Sequence, residues 1–587
     1  MPLLRIDCAH IYRTPIPSLN RREYKLPMPI KAVPTSTGIL VIGGGPAGAY
    51  TASVLAREGF AVTVLEKERF PRYHIGESML PSCRTFLRFI GAEEKVANHG
   101  FTVKVGAAVK LNQYKREGYT DFISPDPNKA AWNVERAEFD EIVLRHAAES
   151  GACICEGVQV TGISFSPDDD TRPVLAQWKS DIGGQGEIRF DWLVDASGRN
   201  GIMSTKYLKN RKFNQALKNI AFWAYWTGAG SYGAGTSRKN APWFEALTGV
   251  KFAYGLGYPV AKFIHWFEDE TGWAWFIPLN GMVSVGVVLK AEVSRIKKST
   301  LSGPDVNKTH YLDQLNLAPG VIRLLGPAKL VSEIKSAADY SYSASYYAGP
   351  NYRIAGDAGV QKLQRSPNAQ IDPFFSSGVH LAFASGLSAA STIAASIRGQ
   401  CTEAEAIAFH NAKTGTSYTR FLLVVLSVYR QITAQAAPVL SDIDEDNFDR
   451  AFDFLRPIIQ GTADADANTN ADPDHTAVTE ETLQRTMDFC QHALGPTTPE
   501  IHASVAARAS ASIKTLLAPD APILDTTAAA KLAGGDEDVK QVLWRANARK
   551  AVDGIYDWEE NFQGERIGGF SVVLERGALG LRRCMRE

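Results

Sequence analysis

Four clusters of residues in this chain carry chemistry in their types and spacing. The first is Gly43-Gly44-Gly45-Pro46-Ala47-Gly48, set between an apolar run, Gly38 to Gly43, and a helical stretch, Ala49 to Glu58. A second apolar run, Ala61 to Leu65, follows and ends in Glu66, at the spacing of roughly 20 residues that lets an acid reach a ribose hydroxyl. Glycine lets the backbone approach a pyrophosphate, and a helix N-terminus favours the anion. The strand, loop, helix, strand and acid together read as a dinucleotide site. Gly43, Gly44, Gly45, Ala47 and Gly48 lie at the phosphates and Glu66 at the ribose. A tight strand–helix turn alone would not require the acid. The second cluster is Trp273 and Trp275 in Gly272 to Pro278. At i and i+2 of a strand they share one face and form a single bulky wall, and Pro278 ends the strand. The third is Lys104, among apolar residues in Gly100 to Lys110. A buried lysine without a full partner has its pKa depressed. Lys110 has the same strand parity and reads as the more solvated of the two. The fourth is Ser377-Gly378, opening a long Ala-rich helix, His380 to Ile397. Unpaired N–H groups at such a start hold an anion without a charged residue. Ser377 also suits a plain N-cap.

Two further segments choose the nucleotide. Phe190 to Arg199 is a strand ending in Asp195-Ala-Ser-Gly-Arg, and Asn351 to Gly359 is a strand ending in Gly356-Asp357-Ala-Gly. With the glycine loop, these resemble flavoprotein monooxygenases of the p-hydroxybenzoate hydroxylase type. The resemblance implies FAD, with Asp357 on the ribityl chain. It also implies an FAD contact for Arg136, in Asn133 to Asp140 ahead of a helix from Phe139 to Ser150. Read by itself, Arg136 is a surface charge at a helix start. There is no second glycine motif for a built-in NAD(P)H domain.

Three strings narrow the resemblance to flavin-dependent halogenases. Phe70-Pro-Arg-Tyr-His-Ile-Gly76-Glu77-Ser78-Met-Leu-Pro81 is similar to their GE(S/A)xxP loop, which implies that Glu77 contacts FAD. Gly272 to Pro278 contains their WxWxIP signature in full, which implies that Trp273 and Trp275 wall the flavin off from the organic substrate. Lys104 stands where these enzymes carry a catalytic lysine, which implies that it holds hypochlorous acid as a chloramine or through a hydrogen bond. The same resemblance places chloride, or bromide, at Ser377 and Gly378 and the backbone of Val379 on FAD. It implies FADH2 and oxygen as reactants and a separate flavin reductase as partner. No metal is required. Phe375 stands where tryptophan halogenases carry a glutamate, and the surrounding string resembles fungal halogenases of free polyketide phenols. The expected reaction is therefore chlorination of an electron-rich phenol. The base that takes the phenol proton is open among Asp121, Glu138 and a histidine. Rival readings are an FAD-dependent aromatic hydroxylase and an inactive FAD-binding homologue, the latter because a polar insert at 360–370 separates Gly356-Asp357-Ala from Ile371-Asp-Pro373.

The elements that must position these groups follow from the whole chain of 587 residues. Hydrophobic residues make up 45% and charged residues 21%, a globular composition. Lys+Arg and Asp+Glu are both 63, which argues against nucleic acid or an anionic membrane as partner. The seven cysteines are scattered and read as reduced thiols of a cytoplasmic protein. The longest apolar run, Phe421 to Val428, is too short to span a bilayer. The expected fold is α/β. It has an FAD-binding Rossmann-like domain, a β-sheet substrate domain and a C-terminal helical region. The expected division is a disordered leader over 1–34 and an FAD domain over 35–204, with part of the substrate sheet near 102–133. The substrate domain covers 205–345, the FAD domain returns over 346–400, and helices fill 401–587 around a polar linker at 461–476.

Overall fold

The computed structural model describes residues 31–110, 113, 117–123, 130–213, 218–248, 270, 272–338, 342–344, 346–359, 376–432, 499–518, 521, 524, 526–543, 546 and 567–584. Residues 250–258 and 262–268 of the expected substrate sheet, the insert at 360–370, Phe375, the linker and nearly all of the leader lie outside these residues.

Strand β1 (Ser36–Ile42) enters the glycine loop and helix α1 (Pro46–Arg57) leaves it. The helix begins three residues before the expected Ala49, because proline is accommodated in a first helical turn. Strand β2 (Val62–Glu66) follows and is buried along its length. Next come β3 (Thr102–Lys104), β4 (Gly106–Lys110), β5 (Ala131–Asn133) and helix α2 (Arg136–Glu149). Strand β6 (Gln185–Asp195) pairs parallel with β1, and so does β2. Strand β7 (Asn219–Thr227), β8 (Gly272–Pro278) and β9 (Val283–Lys290) precede β10 (Tyr352–Ile354), which joins β6 in parallel. Helices α3 (Gly378–Ile397) and α4 (Glu403–Ile432) complete the part that bears on the site.

Two eight-stranded sheets result. The first runs Ala348–Gly349, β10, β6, β1, β2, Cys153–Glu156, and α1 packs between α2 and α3 over it. The parallel arrangement and the glycine loop at the C-terminal end of β1 are the doubly wound pattern. The second sheet runs Lys329–Leu330, β7, β9, β8, Trp243–Ala246, β4, Gly118–Asp121. Its β8 is buried on both faces. Trp273, Trp275 and Ile277 pack with Trp223, Tyr225 and Phe244 on one side. Ala274 and Phe276 pack with Phe222, Val285 and Tyr311 on the other.

Three expectations change. Lys104 and Lys110 do not share a strand. Lys104 ends β3, which pairs with β5, and Gly106 starts β4, which belongs to the second sheet; the change of sheet at Val105 cancels the parity. Residues 205–345 are not sheet alone. Three helices, Ala291–Ser299, Val306–Leu315 and Pro319–Leu325, cover one face, and two carry readable starts: Asp305 accepts from Lys308 N at 3.0 Å, and Pro319 opens the third. The C-terminal region contains helices, but also an antiparallel pair, Phe570–Val573 and Gly580–Arg583. Its Phe570, Val572 and Leu581 join the core of the first sheet. Helix α3 is long and apolar enough to cross a bilayer, yet 89% of its apolar window is buried inside the protein. It is a core helix.

Candidate active site

The glycine loop is shaped by close backbone approach. Gly43 has φ +101°, and a Cβ there would stand 2.3 Å from the Ala196 carbonyl oxygen. A Cβ on Gly48 would stand 1.9 Å from the Gly43 carbonyl oxygen, and one on Gly356 would stand 2.9 Å from Ala47 Cβ. The three expected flavin strings therefore meet at one place. Glu66 is buried and accepts from Gly44 N at 2.6 Å and Glu68 N at 2.8 Å. Burial raises its carboxyl pKa against those two N–H donors. Asp195 braces the second string: it accepts from Ser197 Oγ at 2.6 Å and Met203 N at 2.8 Å. Asp357 sits half-buried in a short 3-10 turn, Gly356–Gly359.

A partly open cleft is lined by Glu77, Arg136, Trp273, Trp275, Gly378 and Val379 among others. Six sequence-selected residues thus share one wall. Arg136 is no surface charge: it is 3% exposed. It clamps Asp140 with Nε at 2.8 Å and Nη2 at 3.0 Å, and donates through Nη1 to Ile75 O at 2.8 Å. Arg72 Nη1 also binds Asp140, at 2.8 Å. Burial alone would raise the Asp140 carboxyl, but the two guanidiniums hold it at about 2. The pair fixes the loop that carries Glu77.

Glu77 is 3% exposed, and burial pushes its carboxyl up to about 7 against hydrogen bonds from Tyr225 and Ser284. Tyr225 Oη donates to Glu77 Oε1 at 2.6 Å. Tyr73 Oη lies 3.0 Å from Tyr225 Oη, and Trp223 Nε1 donates to Tyr73 Oη at 2.8 Å. Trp275 Nε1 donates to Ser284 Oγ at 3.2 Å, whereas Trp273 Nε1 donates to Tyr429 Oη of α4 at 2.7 Å. The two wall rings are 5.7 Å apart.

Ser377 stands at the N-cap position of α3, but its side chain makes no capping bond. Its hydroxyl is buried and unpartnered, beside Ser376 at φ +58°. The first N–H groups of a helix lack partners within it, so the cleft meets a donor cluster suited to an anion. Lys104 does not line the cleft, but its acceptor Met79 follows Ser78, which does. The lysine is 1% exposed and donates to Met79 O at 2.8 Å, with its Nζ 5.1 Å from the Phe122 ring centroid. Burial lowers its pKa to about 7. On the face shared by β3 and β5, two polar side chains were not singled out by sequence: buried Asn133, and Ser78 bridged to it. Both are buried with unpartnered polar atoms.

Among the expected bases, Glu138 pairs with His99 Nε2 at 2.6 Å outside the cleft lining. His380 bonds Ser82 Oγ at 2.8 Å, and burial lowers its pKa to about 3. Asp121 ends its strand opposite Gly106, and its side chain lies outside the described residues. The residues that sequence reading missed are Tyr73, Trp223, Tyr225 and Ser284. Trp223 and Tyr225 stand at i and i+2, the same alternation that singles out Trp273 and Trp275.

The FAD binding domain family matches residues 36–218, which hold the glycine loop, Glu77, Lys104 and Arg136. The flavin-dependent halogenase armH1 of Armillaria mellea is 56% identical over 94% of this chain and 99% of its own length. This chain belongs to the flavin-dependent halogenases. The sulochrin halogenase gedL of Aspergillus terreus is 43% identical, over 94% of this halogenase and 94% of the relative. The fold is similar to CmlS, a flavin-dependent halogenase, with a TM-score of 0.61 at 22% identity, covering 82% of this chain and 78% of that one. The halogenase is thus an FAD-binding enzyme, and its residues suit the cofactor. The cradle at Gly43 and Gly48 leaves no room for side chains, and the buried Ser377 hydroxyl is unpartnered beside the cleft.

Proposed function

We propose that this halogenase chlorinates or brominates an electron-rich phenol in the cytoplasm, using FADH2 from a separate flavin reductase. The bound flavin supplies two electrons to oxygen. Overall, FADH2, O2, halide, one proton and Ar–H become FAD, Ar–X and two waters. Gly43, Gly44, Gly45, Ala47 and Gly48 hold the pyrophosphate, Glu66 the ribose and Asp357 the ribityl chain. Glu77, Arg136 and the Val379 backbone shape the flavin side of the cleft. Ser377 Oγ and the N–H groups from Gly378 onward hold the halide. Trp273 and Trp275 keep the organic ring from the flavin. Lys104 receives hypohalous acid and aims it at the ring, a gain of proximity and orientation.

The observation that carries this reading is the seclusion of Lys104. A buried amine with one carbonyl acceptor and a pKa of about 7 is partly neutral near neutrality. It does not line the cleft itself, although its acceptor Met79 follows Ser78, which does. A diffusing halogen species can connect the two places; direct flavin-to-ring transfer would not use the lysine. The sulochrin halogenase supports a free small molecule as acceptor. The test supplies FAD, a reductase, NADH and bromide with a panel of resorcinol-type phenols. A bromine isotope doublet in the product mass spectrum is expected. An oxygen-inserted product, or none, would overturn the reading.

A further inference from the structure

The hydrogen bonds behind Glu77 have a direction. An indole N–H can only donate. Trp223 Nε1 donates to Tyr73 Oη, so the Tyr73 hydrogen is free to point at Tyr225, 3.0 Å away. Tyr225 in turn donates to Glu77 Oε1 at 2.6 Å. The same polarity appears on the other side, where Trp275 donates to Ser284 and Ser284 to Glu77. Two tryptophans thus orient hydroxyls toward one carboxylate at the cleft wall. Of the two strings, the first reaches an exposed residue: Tyr73 is 40% exposed, whereas Ser284 is buried.

We propose that Tyr73 and Tyr225 form an inward proton relay that supplies Glu77 from bulk water. The proposal rests on the halogenation reading above, whose balance consumes one proton per turnover. In the step, water gives a proton to Tyr73 Oη as the Tyr73 hydrogen passes to Tyr225 Oη. The Tyr225 hydrogen passes to Glu77. Both phenols remain neutral, Glu77 becomes a carboxylic acid, and it releases that proton into the cleft. Rotation of the hydroxyls resets the string. No electron moves.

The charged surroundings suit this traffic. Arg136 of α2 lowers the Glu77 carboxyl pKa, and Glu135, preceding it, opposes that effect. Lys335 lies 4.4 Å from the centroid of the Tyr73 ring. His74 beside the string is held neutral by burial and by Arg136 and Arg72, so it offers no competing proton store.

The experiment compares wild type with Tyr73→Phe, Tyr225→Phe and Glu77→Gln. In the FAD-free protein, the carboxyl band assigned by its loss in Glu77→Gln is titrated by infrared difference spectroscopy. Tyr225→Phe should shift that titration upward, because a donor to the charged form is lost. With saturating reduced FAD, bromide and phenol, Tyr73→Phe should slow halogenation about 10-fold and Glu77→Gln about 10²-fold, with FAD affinity unchanged in Tyr73→Phe. The Tyr73→Phe rate should then climb with added imidazole, and its solvent deuterium isotope effect should exceed that of wild type. If wild type halogenates while Tyr73→Phe matches it in rate, isotope effect and buffer response, the relay is overturned. An unshifted Glu77 band in Tyr225→Phe overturns it also. If wild type itself makes no halogenated product, the halogenation reading falls instead.

Discussion

Glu77 and Met79 stand two residues apart on one loop; Glu77 is itself a buried acid, and Met79 holds a buried base, Lys104. The Glu77 carboxyl receives hydroxyl donors from Tyr225 and Ser284. The Met79 carbonyl accepts from Lys104. Desolvation drives both pKa values toward about 7, one upward and one downward. The difference lies in what burial leaves them. Moving an ion inside costs several kcal/mol, and a hydrogen bond returns about 1–3 kcal/mol. Glu77 has donors that favour its charged form, so it keeps a proton-exchanging carboxylate at the wall. Lys104 has a carbonyl that bonds ammonium and amine alike, so near neutrality it offers a lone pair. On the proposed reading, one loop separates a group for proton traffic from a group for halogen capture.

Removing the capture side gives the largest expected effect. Lys104→Ala should lower halogenated product about 10³-fold while FAD affinity stays within about 2-fold, because the amine stands outside the cleft lining. Product is read by mass spectrometry and affinity by flavin fluorescence. Full activity in Lys104→Ala would remove the lysine from the reaction and dissolve the comparison.

The loop itself depends on Arg136. Arg136→Met leaves Asp140 with Arg72 and takes one of two donors from the Ile75 carbonyl, which keeps His74 Nδ1 at 2.7 Å. Breaking a buried pair costs about 3 kcal/mol, so the denaturant midpoint of the FAD-free protein should fall by that equivalent. FAD affinity should fall with it, since the loop carrying Glu77 loses its clamp. An unchanged midpoint would mean that the loop is held by something other than this pair.

How much of this was legible from residues alone depends on the kind of constraint. Gly43 and Gly48 were readable because no other residue tolerates those approaches. Trp273 and Trp275 were readable because strand parity is local. The burial of Lys104 followed from its apolar neighbours. The parity of Lys110 was misread, because the chain leaves one sheet for another at Val105, and pairing partners are distant in sequence. Tyr73, Tyr225 and Ser284 come from a loop and two strands more than 50 residues apart. Their assembly is a product of the tertiary fold, and each is an ordinary residue in its own segment. The terminal strand pair was hidden among helical patterns for the same reason.

The comparison is sharpened by opposite pH slopes. Glu77 has a raised folded pKa, so its stability contribution is full below the ordinary value of 4.5 and is lost as pH rises through about 7. Lys104 has a lowered folded pKa, so its contribution is full above the ordinary 10.5 and is lost as pH falls through about 7. Glu77→Gln should therefore gain stability over wild type on the alkaline side, and Lys104→Met on the acid side. The gain should be about 3 kcal/mol for Glu77→Gln and about 5 kcal/mol for Lys104→Met between the limits of each window. Denaturation series across pH would show the two difference curves running in opposite directions. Parallel curves would mean that burial does not tune the two groups.

The smallest effects separate the two wall tryptophans. Trp275 Nε1 supports Ser284, which supports Glu77, while Trp273 Nε1 supports Tyr429 of α4. A Cβ on Gly286 would stand 2.3 Å from the Trp275 ring, so this indole fills a space kept for it. Tyr429 also accepts from Asn219 Nδ2 at 2.9 Å and keeps that bond if Trp273 is changed. Each Trp→Phe change removes one hydrogen bond, about 1 kcal/mol of stability. Only Trp275→Phe should alter the infrared titration of Glu77, raising its midpoint, because Ser284 then loses the donor that orients its hydroxyl toward the carboxylate. Trp273→Phe should leave that midpoint in place. Equal shifts in both variants would show that ring volume, not the direction of the N–H bonds, sets the Glu77 carboxyl.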